Sequence, residues 1–301
     1  MTLARRDPAG WRVAAPQPVG ELPGLLARLT AAARGGQVVF GADVPLGLPR
    51  AYARLHAAEP DFASFLRRLA DRPDFFAVCA TLQDVGPGRP FYPLRGTAGM
   101  TRAAHAAALG LGGAADLCRA CDRATAERPA GAPVFWTLGA NQSGKAAVVF
   151  WRDVLIPALH RPAPPRLWPF DGDLAALLAG RGTVIAETYP AEALRHLGLR
   201  MNGSKRRHAD RRALAGPVLA AMRTLAARPD AALAAALADG CGADAAGEDR
   251  FDSVLGVLCV VNVLTGNRPA FVPADPWIRR WEGWVLGQTA LPRLPDPPPA
   301  A

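Results

Sequence analysis

The stretch Gln37-Val38-Val39-Phe40-Gly41-Ala42-Asp43-Val44-Pro45-Leu46-Gly47-Leu48-Pro49 decides the fold class. Its first six residues are an apolar run without helical period, preceded by Gly35-Gly36 and followed by a proline-bounded turn, so they predict a buried β-strand that ends at Asp43. Thr183-Val184-Ile185-Ala186-Glu187 repeats the arrangement just before Thr188-Tyr189-Pro190. Open α/β sheets bind ligands at the carboxyl ends of their strands, which makes Asp43 and Glu187 candidate site residues.

Working outward, Thr2 to Arg6 and Trp11 to Ala15 read as two short strands of a hairpin around the turn at Asp7 to Gly10. Glu21 to Arg34 carries Leu22, Leu25, Leu26 and Leu29 at helical spacing and stops at Gly35-Gly36. Pro49 to Gly182 reads as an insertion-like helical block, with amphipathic pieces at Phe62 to Ala70, Ala103 to Leu109, Ala114 to Ala126 and Val148 to Leu159. Further helices are predicted over Pro190 to Leu197, Ala213 to Arg228 and Asp249 to Thr265, with the basic run Lys205 to Arg212 among them. This order predicts an α/β domain, a mixed sheet flanked by helices, over residues 1–290, with the insertion at about 50–182 and a disordered proline-rich tail at 291–301.

Half of the 301 residues are apolar, enough for a full core, and 35 Lys plus Arg against 26 Asp plus Glu leave a formal charge of +9. Such an excess favours a polyanionic partner such as nucleic acid, although arginine-rich codon usage gives the same balance. Only two lysines, Lys145 and Lys205, occur among so many arginines, which marks them as positions where a compact point charge matters. Five cysteines, an odd number, with no basic-then-apolar leader, point to a reducing cytoplasm. Cys118 and Cys121 form a CxxC pair without a partner pair to close a zinc site. The longest apolar run, Val254 to Leu264, is too short to cross a bilayer.

Asp249 and Asp252 stand three apart at the start of the most apolar helix, on one face of its first turn, with Glu248 beside them. Acidic residues there also serve the helix dipole. The combination says more: carboxylates from two strand ends and one helix start can converge on hard cations such as Mg²⁺ or Mn²⁺. Two such ions activate a water and stabilise the leaving oxygen in phosphodiester cleavage.

The segments GADVPLGLPRAYA (41–53), VIAETYPAEAL (184–194), KRRHADR (205–211), EDRFDSVLGVL (248–258) and WEGWVLGQ (281–288) together resemble, in order, a domain-of-unknown-function family described as predicted RNase H-like nucleases. The resemblance implies a five-stranded RNase H-like core with a helical insertion between its fourth and fifth strands. It also implies a metal-dependent hydrolase of DNA or RNA, with Asp43, Glu187, Asp249 and Asp252 as catalytic metal ligands. Fold alone does not fix function, so a non-catalytic nucleic-acid or protein-binding module on the same fold is the alternative.

The superfamily core begins with a strand that carries a central metal-binding Asp, and this sequence starts at what corresponds to the second strand. Asp7 sits in the hairpin turn and cannot replace that carboxylate. Either a start codon read too late or a catalytically crippled chain accounts for this, and unpaired backbone groups beside a lost central strand favour the former.

Gly139 to Ala146 (GANQSGKA) nearly satisfies the phosphate-loop pattern GxxxxGK[ST], but Ala146 lacks the hydroxyl that holds Mg²⁺, so nucleotide binding there is a weaker alternative. Lys145, Lys205, Arg206, Arg207 and Arg211 are candidate phosphate contacts. Trp277, Trp281 and Trp284 share a helical spacing that suits core packing better than base stacking. No histidine has metal-ligand spacing, and no serine stands in a nucleophile elbow.

Overall fold

The computed structural model describes residues 1–139 and 142–293. Strands β1 (Ala4–Asp7) and β2 (Gly10–Val13) pair antiparallel, Arg6 opposite Trp11, across a two-residue turn. Gly10 has φ +117°, and a Cβ there would lie 2.2 Å from the Ala226 carbonyl, so only glycine fits. Helix α1 (Leu25–Ala32) begins four residues later than the leucine spacing predicts, because Gly24 in the left-handed region forms its entry. It buries Leu25 and Leu26, and Arg34 and Gly35 at positive φ end it before β3 (Gln37–Ala42).

The block after β3 contains α2 (Arg50–His56), α3 (Phe62–Arg68), α4 (Arg102–Ala108) and α5 (Ser143–Phe150). The last of these runs through a π-turn at Trp151–Leu155 into α6 (Ile156–Leu159). Phe62, Phe65, Phe75, Phe91, Phe135 and Trp151 meet mostly edge to face, the arrangement their ring quadrupoles prefer, and this aromatic core joins the block to Leu46, Leu48 and Ile185. The helix predicted over Ala114 to Ala126 is corrected: two 3-10 turns, Ala114–Leu117 and Ala120–Asp122, stand there instead. Asp122 accepts from the Arg119 backbone N–H, a local bond that competes with helical pairing.

Next come β4 (Arg166–Leu167), α7 (Leu174–Ala179) and β5 (Gly182–Glu187). β5 lies between β3 and β4, parallel to both, with Gln37 opposite Gly182 and Ala42 opposite Glu187. It is flanked on both sides and accordingly buried, whereas Val38, Val39 and Phe40 of β3 stay half-buried beside a free edge.

Helices α8 (Pro190–His196), α9 (His208–Ala213) and α10 (Ala215–Thr224) lead to β6 (Ala227–Pro229), followed by α11 (Ala231–Ala238) and α12 (Gly247–Leu264). The single helix predicted over Ala213 to Arg228 is a second correction, since Ala226 turns at φ 51° and β6 joins β2 in parallel. Ladder pairing overrides the helix preference of the alanine-rich run, and Pro229 is tolerated at the end of an edge strand. The strands therefore form two small sheets, β1-β2-β6 and β3-β5-β4, where the sequence predicts one. The two halves meet under α12, which packs Val254, Leu255 and Leu258 with Val13 and Ala227, and Val260 and Val263 with Val184 and Ala186.

The tryptophan run is also not a regular helix: a π-turn, Ile278–Glu282, ends at Gly283 with φ 69°. Trp281 and Trp284 are buried, as core packing requires. Among the described residues no helix is long and apolar enough to cross a membrane. The proline-rich tail from residue 294 onward lies outside the described residues.

Leu258 on α12 is fully buried, whereas Leu55 is 60% exposed. Leu258→Ala should cost about 2–5 kcal/mol in urea unfolding through the cavity it leaves, and Leu55→Ala less than about 0.5 kcal/mol. Equal costs would show that α12 does not organise the core.

Candidate functional site

The register of the parallel sheet sets the position of the first two acids. Ala42 is opposite Glu187, and the Thr188 N–H donates to the Ala42 carbonyl at 2.8 Å, so Asp43 and Glu187 leave the same sheet edge side by side. The turn after Asp43 folds back over that edge. Its Leu46 N–H donates to Glu187 Oε2 at 2.7 Å and its Leu48 N–H to the Trp281 carbonyl at 2.7 Å. Gly47 allows this approach: at φ +137°, a Cβ would sit 2.1 Å from the Glu282 carbonyl.

Glu187 is buried and both of its oxygens are engaged. Arg119 donates through Nη1 to Oε2 at 2.6 Å and through Nη2 to Oε1 at 2.7 Å, a bidentate pair. The same guanidinium donates to Asp122 through Nε at 2.9 Å and Nη2 at 2.8 Å, and to the Glu282 carbonyl at 3.3 Å. Burial works against the Arg119 charge, but Asp122 and Glu187 outweigh it and hold the pKa above its ordinary value. Burial also pushes the Glu187 carboxyl up, against the pull of Arg119; the bidentate bonds and the Leu46 N–H favour the ionised form. Cys121, Asp122 and Glu187 offer ligand atoms within 4.8 Å of one another, yet Arg119 already bonds both carboxylates.

Asp43 is different. Among the described residues it has no hydrogen bond or ion pair, and its pKa is raised to about 7, first by desolvation and then by Asp252, Glu187 and Asp249, with Lys205 opposing. The four carboxylates predicted from separate stretches of sequence thus share one electrostatic neighbourhood. Water reaches the Asp43 side chain, so screening tempers the energy attached to this shift; its direction follows from the like charges around it. Asp252 is paired: Lys205 Nζ stands 2.6 Å from each of its oxygens, both side chains being about one-fifth exposed. Burial raises the Asp252 pKa and Lys205 pulls it down. Asp249, one turn earlier on α12, is exposed. A recess of about 60 Å³, large enough for an ion or a few waters, lies between Asp43, Arg119, Glu187, Ser143 and Tyr189.

The basic run divides by burial. Arg206 and Arg207 are exposed, Arg206 3.8 Å from Glu248 and Arg207 2.6 Å from Asp210. Arg211, predicted as a phosphate contact, is instead buried and clamps the carbonyls of Lys205, Arg206, Gly240 and Gly242, because those loop carbonyls have no ladder partner. Lys205, predicted in the same role, is committed to Asp252. Lys145 is exposed on the first turn of α5; residues 140 and 141 of the near-phosphate-loop lie outside the described residues.

The sequence reading missed Arg119, Asp122 and Glu282. Buried Glu282 accepts from the Ala120 N–H at 3.0 Å and from Arg50 at 3.0 Å. The one local signal was an Arg three residues before an Asp in an otherwise apolar, cysteine-bearing run. A second close group, Glu127, Glu192 and His196, is likewise served by arginines, with Arg128 2.6 Å from Glu192 and Arg195 bonded to the same carboxylate.

Arg119→Met should destabilise the fold by roughly 3–5 kcal/mol, because it strands two buried carboxylates. The check is a lower urea midpoint with unchanged slope; a wild-type midpoint would mean that Glu187 and Asp122 find other partners. The raised Asp43 pKa sets a pH window. Its unfolded carboxyl ionises near pH 4, while the folded one keeps its proton until about pH 7, so this residue costs stability progressively from pH 4 to 7 and fully above. Asp43→Asn should therefore gain on the wild type as pH rises from 4 to 8, and a constant difference across that range would contradict the assignment.

Comparison with family models finds no match, and neither the curated proteins nor the solved structures give one.

Proposed function

We propose that the chain is a divalent-metal-dependent hydrolase of nucleic acid phosphodiesters on an RNase H-like fold. What supports this reading is the electrostatic influence of Glu187, Asp249 and Asp252 on Asp43, from a second strand end and a helix start, although no three of these acids place ligand atoms within 4.8 Å of one another among the described residues. The parallel β3 and β5 suit such a core, whereas the hairpin departs from it by joining β6 in a separate sheet.

The donor type at Asp43, Asp249 and Asp252 suits a hard cation, which would have to draw them together, since they do not form a group within 4.8 Å. All three are carboxylates, and the unpaired Asp43 carries a negative-charge excess that a divalent ion relieves. Glu187 does not fit as a direct ligand, since Arg119 and the Leu46 N–H occupy both its oxygens; it serves as a fixed charge behind Asp43. Mg²⁺ or Mn²⁺ bound there supplies a Lewis acid and a water of lowered pKa. A cation held by Asp252 would release Lys205 to meet phosphate, with exposed Arg206 and Arg207 beside it to steer the strand. Five free cysteines suit a reducing cytoplasm.

A second reading has one observation in its favour. Lys205 already places a positive charge on Asp252, so the same surface could bind nucleic acid without cutting it.

The two readings separate by titrating Mn²⁺ against thermal stability and against cleavage of labelled DNA and RNA. The hydrolase reading expects a midpoint that climbs with the logarithm of Mn²⁺ concentration, and cleavage that Asp43→Asn and Asp252→Asn each reduce at least a hundredfold. Cleavage that survives both substitutions refutes it. Binding without cleavage and without a Mn²⁺ shift establishes the second reading.

A further inference from the structure

A larger cleft, of about 590 Å³, opens between α3, the segment after β4 and the turn before the tryptophan run. It falls within the size range of small-molecule sites. Because β4 is parallel to β3 and β5, the segment Phe170-Asp171 follows the same carboxyl-terminal edge of the sheet that carries Asp43 and Glu187.

Three aspartates and three arginines line the cleft, and their commitments differ. Asp61 caps α3 by accepting from the Ser64 N–H at 2.7 Å, and Asp171 accepts from the Leu167 N–H at 2.6 Å. Asp275 pairs with Arg50 and accepts from the Trp277 N–H at 2.9 Å. Arg279 reaches out of the cleft to Asp173 at 2.7 Å. Arg67 and Arg280 are left. Among the described residues, exposed Arg67 makes a 3.4 Å contact from Nε to the Leu159 carbonyl and acts on Asp171 through space without a direct ion pair, and exposed Arg280 has neither ion pair nor hydrogen bond. An ordinary mixed-charge wall would pair these guanidinia with the nearby aspartates, but Asp61 and Asp171 are turned to backbone N–H groups and Asp275 to Arg50 and the Trp277 N–H. The floor between them is apolar: Phe170, held by Phe62 at 5.1 Å between ring centroids, with Ala63 and Pro276.

We propose that this cleft binds a nucleotide unit, its phosphate between Arg67 and Arg280 and its base against Phe170. Arginine suits phosphate by its planar fork, and an aromatic face accepts any base. The proposal deepens the nucleic-acid reading above and rests on it for the choice of a phosphate ligand, but it needs no metal and no cleavage.

The test is fluorescence anisotropy of a labelled single-stranded oligonucleotide with the full chain in EDTA, comparing wild type, Arg67→Glu, Arg280→Glu and the double variant. Both side chains are exposed, so the variants should keep the wild-type thermal midpoint, which is measured alongside. The double reversal should weaken binding at least tenfold and flatten its salt dependence, and Phe170→Leu should weaken it without changing the salt slope. Displacement by adenosine monophosphate marks a free nucleotide as the ligand; competition only by unlabelled oligonucleotide marks a strand. Unchanged affinity and salt slope in the double variant overturn the proposal. Cleavage is assayed separately with Mn²⁺, so its absence beside intact binding in EDTA bears on the hydrolase reading and not on this cleft.

Discussion

A guanidinium buried at the carboxyl-terminal edge of a parallel sheet is stable only with carboxylates around it, and Arg119 has two. Through Glu187 it holds the end of β5; through Asp122 it holds the 3-10 turn; through the Glu282 carbonyl it reaches the π-turn that carries Trp281. Removing one partner from such a cluster costs several kcal/mol, a large share of the stability of an ordinary domain. The turn over Asp43 depends on the same cluster, since Leu46 donates to the carboxylate that Arg119 orients.

The acids at this edge are therefore not equivalent. Glu187 and Asp122 are neutralised by a cation the chain cannot release without unfolding locally. Asp252 is neutralised by a lysine on a flexible stem, one-fifth exposed and able to move. Asp43 has no ion pair among the described residues, and desolvation first, then its carboxylate neighbours against the pull of Lys205, hold its proton to about pH 7. A gradient from permanently paired to unpaired carboxylates runs from the buried floor to the surface, and exchange chemistry with an outside cation or phosphate belongs at its open end.

Much of this was legible in the sequence. The β-branched apolar runs at Val38-Val39 and Val184-Ile185, bounded by glycine and proline, gave the first strand at its observed limits and the second to within one residue, and the acids at their ends followed from that. The long apolar helix carrying Asp252 was equally plain. β6 was not, because Ala227–Pro229 ends an alanine-rich helix and becomes a strand only when β2 offers its edge. Nor could Arg119 be assigned to Glu187, 68 residues away, or Lys205 to Asp252, 47 away, from any periodic pattern. Side-chain pairing across such distances is decided by packing, and local composition is blind to it.

The division of the strands into two sheets leaves β1 and β3 each with a neighbour on one side only. No backbone ladder crosses from one sheet to the other among the described residues, and the side chains of α12 are a main link between the halves, with α8 and Met1 adding to it. Asp43 belongs to one half, whereas Lys205, Asp249 and Asp252 sit with the other. Anything that bridges these acids also fastens the two halves together, and the cooperativity of unfolding becomes a reporter of the site: loosely coupled melting when it is open, a single sharper transition when it is spanned.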